Sequence, residues 1–365
     1  MSQNFIRKGT AGRILLLFIL LPSARAETIT IGKGSGILWE GLPFNVSLSG
    51  PMLDALVQPL YGLASVSNIN SACMVSSQLK EIAGYKVFPL PNIPGVGLIP
   101  RATTHVTFTR ITGGLTTMNG TIGLPETIAS VSSGETVTSP SGYEWCLPPR
   151  MVVTRNYYDP SAIRTATAAG TWVLVADGTQ VAGEVTLRPM YFGSYSSTTP
   201  GDRATSILPS NITLRISTLE CTVNTPLTIG FGTIARNTEA NSELARQSVP
   251  MTINCGQPTN LINANINVQF RPITGLYGGE PTRLSLQQGG GYIAGEINNT
   301  TASNGDCSAT GGIPFDNSPL KIGAITTAEE STTLNNQITW RLCSGGASLP
   351  VGAVNASTEM LVTFN

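Results

Sequence analysis

The stretch Ile338-Thr339-Trp340-Arg341-Leu342 alternates apolar and polar side chains, and this period of two decides the fold class. Successive side chains of a strand point to opposite faces of its sheet, so the period predicts one buried and one solvated face. The same alternation occurs in five further runs, which are His105–Thr109, Val185–Arg188, Ile212–Ile216, Ile266–Phe270 and Met360–Phe364. Clusters of Gly, Pro, Asn and Ser separate the runs, as the turns of antiparallel sheets require. The sequence therefore predicts an all-β protein built from two sandwiches.

One segment, Leu53–Ala64, looks helical instead. Pro59 would limit a helix there to a turn or two, because proline lacks an amide hydrogen and its ring clashes with the preceding turn. We expect at most a short helix in this segment.

The composition excludes several classes of protein. The 365-residue chain is 41% hydrophobic but only 12% charged, whereas ordinary soluble domains are about a quarter charged. Intrinsic disorder needs low hydrophobicity with high net charge, so it is excluded. The 21 Lys and Arg residues balance the 21 Asp and Glu residues, and binding to nucleic acid needs clustered positive charge. We expect no nucleic-acid partner.

The first 26 residues have the pattern of a signal peptide. Arg7, Lys8 and Arg13 are basic, Ile14–Leu21 is apolar, and Ala24-Arg25-Ala26 supplies small residues at a cleavage site. An apolar helix of this length reaches about 12 Å, whereas a bilayer core is about 30 Å thick. The sequence predicts removal of residues 1–26 and export of the remaining chain.

Six cysteines in an exported chain predict disulfides, because export leads to an oxidising compartment. Zinc is not expected, since no pair has CxxC spacing and His105 is the single histidine. Six cysteines allow 15 pairings, and a domain boundary near residue 217 reduces these to three. We favour Cys73–Cys146, Cys221–Cys255 and Cys307–Cys343. Each would stabilise its domain by roughly 3–4 kcal/mol.

The boundary near residue 217 rests on the distribution of aromatic residues and cysteines. Three of the four Trp and seven of the nine Tyr precede it, and four of the six Cys follow it. The run Ile212–Ile216 would close the first domain, and Thr218-Leu219-Glu220-Cys221 would open the second. We expect domains at residues 27–217 and 218–365.

Three stretches of the second domain follow one another in a recognisable order. Cys221-Thr222-Val223 comes first, Pro226–Ile234 follows with Phe231-Gly232 inside it, and Val249–Cys255 ends on a second cysteine. This order resembles the pilin domain of chaperone–usher fimbriae. In that family a Cys opens the first strand, a strand with Phe-Gly and Ile follows, and a second Cys pairs with the first.

The carboxyl-terminal residues resemble the terminal strand of the same family. Phe364 is a penultimate aromatic residue, Met360 and Val362 alternate on its face, and Gly352 is the fourteenth residue from the end. In the family this strand is bound first by a periplasmic chaperone and then by the adjacent subunit. A sandwich that closes on such a strand, with no sequence left for a partner, would leave an edge that recruits a strand from another chain.

The resemblance implies a fimbrial tip adhesin. A large domain replaces the short donor arm of an ordinary subunit, so such a protein accepts a donor strand but donates none. The implied fold is an adhesin- or lectin-like β-sandwich followed by an incomplete immunoglobulin-like pilin domain. The implied partners are a periplasmic chaperone, an outer-membrane usher, the adjacent pilus subunit, and a host glycan or other surface receptor. The implied location is the fimbrium tip, reached through the periplasm.

Two aromatic groups in the first domain are candidate ligand-binding residues. Neutral sugars are held by amide and carboxylate hydrogen bonds and by an aromatic face, and an Asp-Pro turn favours a loop. An alternative is that one Tyr of each group packs in the core while the others lie on loops. The candidates are Arg155, Asn156, Tyr157, Tyr158 and Asp159 in one group, and Tyr191, Phe192 and Tyr195 in the other.

Three other functions are weaker alternatives. His105 is expected on a strand surface, since a catalytic histidine needs a nucleophile and a carboxylate and no G-x-S-x-G motif is present. A secreted glycosidase would need two carboxylates about 5–10 Å apart. The protein could also be a structural minor pilus subunit or assembly initiator that binds no receptor. We expect no catalysis, cofactor or metal.

Overall fold

The computed structural model describes residues 27–196 and 203–365, and strands dominate them, which confirms the predicted all-β class. In this described part the helices are two short 3-10 helices, Ser76–Gln78 and Tyr277–Gly279. Across the same two ranges, no helix combines the length and the apolar character needed to cross a membrane. The signal-peptide prediction concerns residues 1–26, which lie outside the described residues.

The strands before residue 217 are β1 (Glu27–Ile31), β2 (Ser35–Pro51), β3 (Ala64–Ser67), β4 (Met74–Val75), β5 (Lys80–Ile82), β6 (Tyr85–Pro89), β7 (Val96–Thr109), β8 (Leu115–Gly123), β9 (Ile128–Val131), β10 (Thr136–Thr138), β11 (Tyr143–Glu144), β12 (Cys146–Leu147), β13 (Ile163–Asp177), β14 (Gly183–Thr186), β15 (Met190–Gly193), β16 (Ala204–Leu208) and β17 (Ile212–Ile216). The later strands are β18 (Glu220–Asn224), β19 (Glu243–Gly256), β20 (Ala264–Pro272), β21 (Leu284–Ser285), β22 (Gly291–Ile297), β23 (Leu320–Ile325), β24 (Ser331–Ser344) and β25 (Thr358–Phe364).

The first hydrophobic core contains side chains from Ile29 to Ile216, and we call the part of the chain around it the amino-terminal unit. Its large sheet has the order β10–β9–β8–β7–β13–β2, and β6 joins β5 to β7 at its side. A four-stranded sheet of order β12–β3–β15–β16 contributes to the same core. Trp172 of β13 is fully buried, and its indole N–H donates to the carbonyl of Ile207 at 3.1 Å. This bond satisfies the one polar group of a large core side chain.

The second core contains side chains from Leu219 to Phe364, and the chain around it is the carboxyl-terminal unit. One of its sheets has the order β18–β19–β24–β22–β21. The facing strands are β25, β20 and β23, and the alternation of β20 buries Ile266, Val268 and Phe270. The two layers form a sandwich around aromatic and branched side chains.

A six-stranded sheet continues from one unit into the other, in the order β14–β17–β1–β25–β20–β23. Its first three strands belong to the amino-terminal unit, where β1 runs parallel to β17. Its last three strands belong to the carboxyl-terminal unit. The contact between β1 and β25 therefore lies at the junction of the two units.

The segment Leu53–Ala64 is not helical, so the expectation of a short helix is wrong. Several of its backbone groups bond to residues far away in sequence. Val57 N–H donates to Thr154 O at 2.9 Å, and Tyr157 N–H donates to Ala55 O at 2.7 Å. A helix would have to break these bonds, which tie the segment to the loop before β13.

The three disulfides that we favoured are present. Cys73–Cys146, Cys221–Cys255 and Cys307–Cys343 have Cα–Cα distances of 5.5, 4.1 and 5.6 Å. The second bond joins β18 to β19 at directly paired positions. Each bond lies within one unit, so none of the three ties the units together.

Candidate functional site

The strand β25 is paired along one edge and open along most of the other. On one side it pairs with β20 from Thr358 to Phe364. On the other side β1 meets it at a single position, where Thr30 pairs with Phe364. Among the described residues, no strand pairs with 358–363 on that side. Such an edge presents N–H and C=O groups that can pair with an added strand.

The hydrogen bonds to β20 show which residues face the open edge. Asn265 N–H donates to Asn365 O at 2.7 Å, and Asn365 N–H donates back to Asn265 O at 3.3 Å. Hydrogen-bonded and non-bonded pairs alternate along an antiparallel ladder. Met360 and Val362 lie at non-bonded positions, so their backbone groups turn away from β20 towards the open edge.

Side chains that face the second core beside this edge are incompletely covered. Met360 and Val362 pair with fully buried positions of β20, yet both are only half-buried. Trp340 shares a face of β24 with the buried Ile338 and is also half-buried. Val249 of β19 pairs with Ile338 and is half-buried too. These four apolar side chains are only partly buried against the second core, and one more strand with alternating apolar residues would cover the surface that they leave exposed.

Residues 225–242 connect β18 to β19 without forming a strand, so the expected strand around Phe231 is wrong. Phe231 and Ile234 are half-buried against the second core, whereas Leu227 is 100% exposed. The segment has no backbone ladder with either sheet, and a strand requires one. Apolar side chains on an unpaired segment add to the incompletely covered surface of this unit.

Gly352 does not belong to β25, which corrects its assignment to the terminal strand pattern. It lies in the connection before the strand, and it is exposed with φ +105°. A positive φ suits a turn and not an extended strand. Met360, Val362 and Phe364 do lie within β25, as predicted.

The first aromatic group predicted to bind a ligand divides between surface and core. Arg155 and Asn156 are exposed, whereas Tyr157 and Tyr158 are buried, the latter with 1% of its surface exposed. Both rings pack on Phe108, with centroids 6.1 and 5.6 Å away. Burial raises the pKa of Tyr158 well above its ordinary value. The expectation that these rings form an exposed aromatic face is wrong, because they complete the first core.

The other predicted ligand residues also lie apart from one another. Tyr195 and Phe192 are fully buried, and Tyr191 is half-buried. The Asp159 carboxylate accepts hydrogen bonds from the Ser161 hydroxyl and N–H at 2.6 and 2.9 Å, and these bonds lower its pKa. Of the second group, only Tyr191 keeps surface that a ligand could reach, which corrects the expected aromatic wall.

His105 lies on the solvent face of β7, as expected for a strand-surface histidine. Its Nδ1 is 2.6 Å from the Asn119 side-chain oxygen on the neighbouring strand β8. Thr167 of β13 flanks it on the other side. The arrangement is a polar surface, and it brings no nucleophile and carboxylate together with the imidazole.

The face of β20 and β25 that points away from the core packs against the amino-terminal unit. The Gln269 side chain donates to the Glu40 carbonyl at 3.2 Å. Arg101 forms an ion pair with Glu40 at 3.1 Å. Burial lowers the pKa of Arg101, although the negative charge of Glu40 acts to raise it. Arg271 of β20 donates to Glu359 of β25 at 2.8 Å on the same face. The Gln269–Glu40 hydrogen bond therefore connects β20 to the amino-terminal unit, and the Arg271–Glu359 pair connects β25 to β20.

A cavity of about 640 Å³ in the amino-terminal unit was missed by sequence reasoning. Tyr85, Tyr143, Lys86 and Glu144 are among its lining residues. They come from segments far apart in sequence, and no motif connects them. The one available signal was the position of Tyr143 and Glu144 next to Trp145 and the cysteine of a disulfide.

No protein-family model matches the chain, and no curated protein matches it either. Similar solved structures include the CupB6 tip adhesin from Pseudomonas aeruginosa, which is 13% identical, covers 95% of this chain and 89% of its own, and has a TM-score of 0.30. A chaperone–tip adhesin complex of CFA/I fimbriae biogenesis is 12% identical, covers 92% and 94%, and has a TM-score of 0.21. A mutant of the enterotoxigenic E. coli CFA/I adhesin CfaE is 12% identical, covers 93% and 96%, and has a TM-score of 0.23. All three contain an adhesin. Because every TM-score lies below 0.5, inference about function rests on this chain's own residues.

Proposed function

We propose that this protein is a fimbrial tip adhesin, exported through the periplasm and held at the end of a fimbrium. Residues 27–217 form its receptor-binding domain, and residues 218–365 form an incomplete pilin domain. The observation that carries the proposal is the open edge of β25 beside the half-buried side chains of Met360 and Val362. The two separate hydrophobic cores support the division into an anchoring part and a binding part.

The open edge takes a strand from another chain. The free backbone groups of Met360 and Val362 pair with the incoming strand, and its alternating side chains cover Trp340 and Val249. A periplasmic chaperone supplies this strand first, and the adjacent subunit replaces it after delivery to the outer-membrane usher. Main-chain pairing provides affinity, and the apolar side chains beside the edge provide specificity.

The amino-terminal domain binds its receptor without covalent chemistry. Its accessible surface includes polar side chains such as His105, Asn119 and Thr167, which suit hydrogen bonds to hydroxyl groups. A host glycan is therefore the receptor class that we propose. No catalysis and no cofactor enter this function.

Strand addition is tested by Phe364→Asp in the full chain, co-expressed with the periplasmic chaperone of a fimbrial system. Phe364 is 8% exposed, and a buried carboxylate without a partner is strongly unfavourable. We expect loss of chaperone co-purification and periplasmic degradation of the variant, and the same for deletion of 352–365. Leu115→Asp, at a side chain that is 70% exposed in the other unit, is the matched control. Normal accumulation of both altered chains would contradict the proposal.

Attachment is tested with bacteria that carry fimbriae with or without this protein. We expect attachment to a glycan-bearing cell layer to require it. Fimbriae that assemble normally, together with attachment that does not depend on the protein, would favour a structural minor subunit. Hydrolysis of a bound glycan would contradict the non-enzymatic mechanism.

A further inference from the structure

The cavity of about 640 Å³ lies between the β5–β6 turn, the β8–β9 connection and residues 138–145. Binding sites for small ligands have volumes of roughly 300–1,000 Å³. The half-buried rings of Tyr85 and Tyr143 contribute to its wall, so aromatic surface is accessible from inside it. Neither ring belongs to the two groups that the sequence suggested.

An ion pair lies in the same wall. Lys86 Nζ is 2.7 Å from Glu144 Oε1, and the two side chains are 66% and 19% exposed. The hydrogen bond that Lys86 donates to Glu144, together with the negative charge of Glu144, raises the pKa of Lys86, so the amine stays protonated. The pair therefore offers a fixed acceptor and a solvent-facing donor next to the aromatic rings.

The wall is held in place before any ligand arrives. Ser76 N–H donates to Gly142 O at 2.9 Å, and Val66 N–H donates to Trp145 O at 2.9 Å. Trp145 adopts φ +52°, a conformation that is costly for a bulky residue and persists only where its surroundings impose it. The disulfide of the next residue, Cys146, fixes this end of the loop. A prearranged wall reduces the entropy lost on binding.

The charge of the wall selects among ligands. Glu144 and Glu126 outnumber Lys86 in the lining, and Glu81 is close enough to raise the pKa of that lysine further. Carboxylates accept hydrogen bonds from hydroxyl groups but repel anions. Aromatic rings provide an apolar surface for the face of a sugar ring.

We infer that this cavity, lined by Tyr85, Tyr143, Lys86 and Glu144, binds an uncharged saccharide and discriminates against sialylated or other anionic glycans. The inference rests on the proposed adhesin function and deepens it by assigning the receptor site and its charge class. The exposed residues Arg155 and Asn156 lie outside this cavity.

The test uses the full mature chain on a printed array of matched sialylated and desialylated glycans. The site variants are Glu144→Gln, which keeps the shape of the side chain, and Tyr143→Ala. The matched controls are Glu184→Gln, which breaks a 2.7 Å ion pair with Arg215 elsewhere in the unit, and Tyr61→Ala at a half-buried tyrosine outside the cavity. Thermal melting of every chain verifies the fold.

We expect the wild type and both controls to bind desialylated glycans in preference to their sialylated partners. Each site variant should lose at least about tenfold in affinity, since a charged hydrogen-bonding group or a ring is removed. Unchanged binding by folded site variants, or preference for sialylated glycans, overturns the inference but leaves the adhesin function intact. Binding to no glycan also overturns it, and the attachment assay then shows separately whether the adhesin function fails.

Discussion

Thr30 pairs with Phe364, and this antiparallel pair joins the first described strand to the last. Phe364 pairs at the same time with Ile266 on the other side of β25. The end of β25 is therefore enclosed, whereas the edge before it is open. The junction between the units and the proposed site of strand addition lie on one strand.

The two faces and the free edge of β25 have different neighbours. One of its faces covers the second core, and its other face packs against β2 and carries Glu359 beside Arg271. Its free edge has no partner strand over 358–363 among the described residues. An added strand would thus be laid next to the residues that hold the two units together, without displacing the contacts between Gln269 and Glu40.

Removal of the Cys221–Cys255 bond should destabilise the carboxyl-terminal unit selectively. The cysteines are 34 residues apart, and a loop of this size corresponds to about 3–4 kcal/mol in the chain-entropy model. For a Cys221→Ser, Cys255→Ser double variant, we expect calorimetry to show one transition lowered and the transition of the other unit unchanged. Coincident loss of both transitions would show that the two units do not unfold independently.

The buried Arg341 should make the carboxyl-terminal unit sensitive to acid through Glu296. Burial acts to raise the pKa of Glu296, but the hydrogen bonds from Arg341 and the Gly305 N–H outweigh it, so the pKa is lowered from its ordinary 4.5. A lowered carboxyl pKa contributes stability that is present above the unfolded pKa and lost as the pH falls through the folded value. We expect the melting temperature of this unit to fall below about pH 4.5, and Glu296→Gln to weaken that dependence.

The basic partner of Glu296 is tested by the substitution Arg341→Met. It leaves the charge of Glu296 without its partner at 2.8 Å, and breaking a buried pair costs about 3–5 kcal/mol. Denaturant unfolding at neutral pH measures the loss. Arg246→Met, at an exposed arginine paired with Glu243, is the control and should change stability by less than about 1 kcal/mol. Equal effects of the two substitutions would refute the assigned role of Arg341.

Tyr158 should behave as a core residue and not as part of a ligand site. Its ring is buried against Phe108 and Tyr157, and truncation of a large aromatic side chain costs about 3–5 kcal/mol. We expect Tyr158→Ala to lower the stability of the amino-terminal unit by that amount, whereas Arg155→Ala at an exposed position should leave it unchanged. Chemical denaturation of both variants checks this. A stable Tyr158→Ala chain would contradict its place in the core.

Sequence periodicity was sufficient where the side-chain pattern itself determines the structure. The alternation at Met360, Val362 and Phe364 predicted a strand, and β25 confirms it. Sequence periodicity failed where the exposure of a side chain depends on residues far away in sequence. Nothing local shows that Tyr158 meets Phe108, or that the β5–β6 turn and residues 138–145 enclose one cavity. The segment around Phe231 looks like a strand in sequence, but no strand of the described residues pairs with it.

Amide hydrogen exchange in β25 should alternate from residue to residue. The N–H groups of Leu361 and Thr363 lie at positions bonded to β20, by the alternation that starts at the Asn265–Asn365 pair, whereas those of Met360 and Val362 face the open edge. In the isolated chain we expect fast exchange at Met360 and Val362 and protection at Leu361 and Thr363, because only the latter are bonded. In the complex with the chaperone all four should be protected. Protection of Met360 and Val362 in the isolated chain would mean that the edge is already paired, and strand addition would then have no free edge to use.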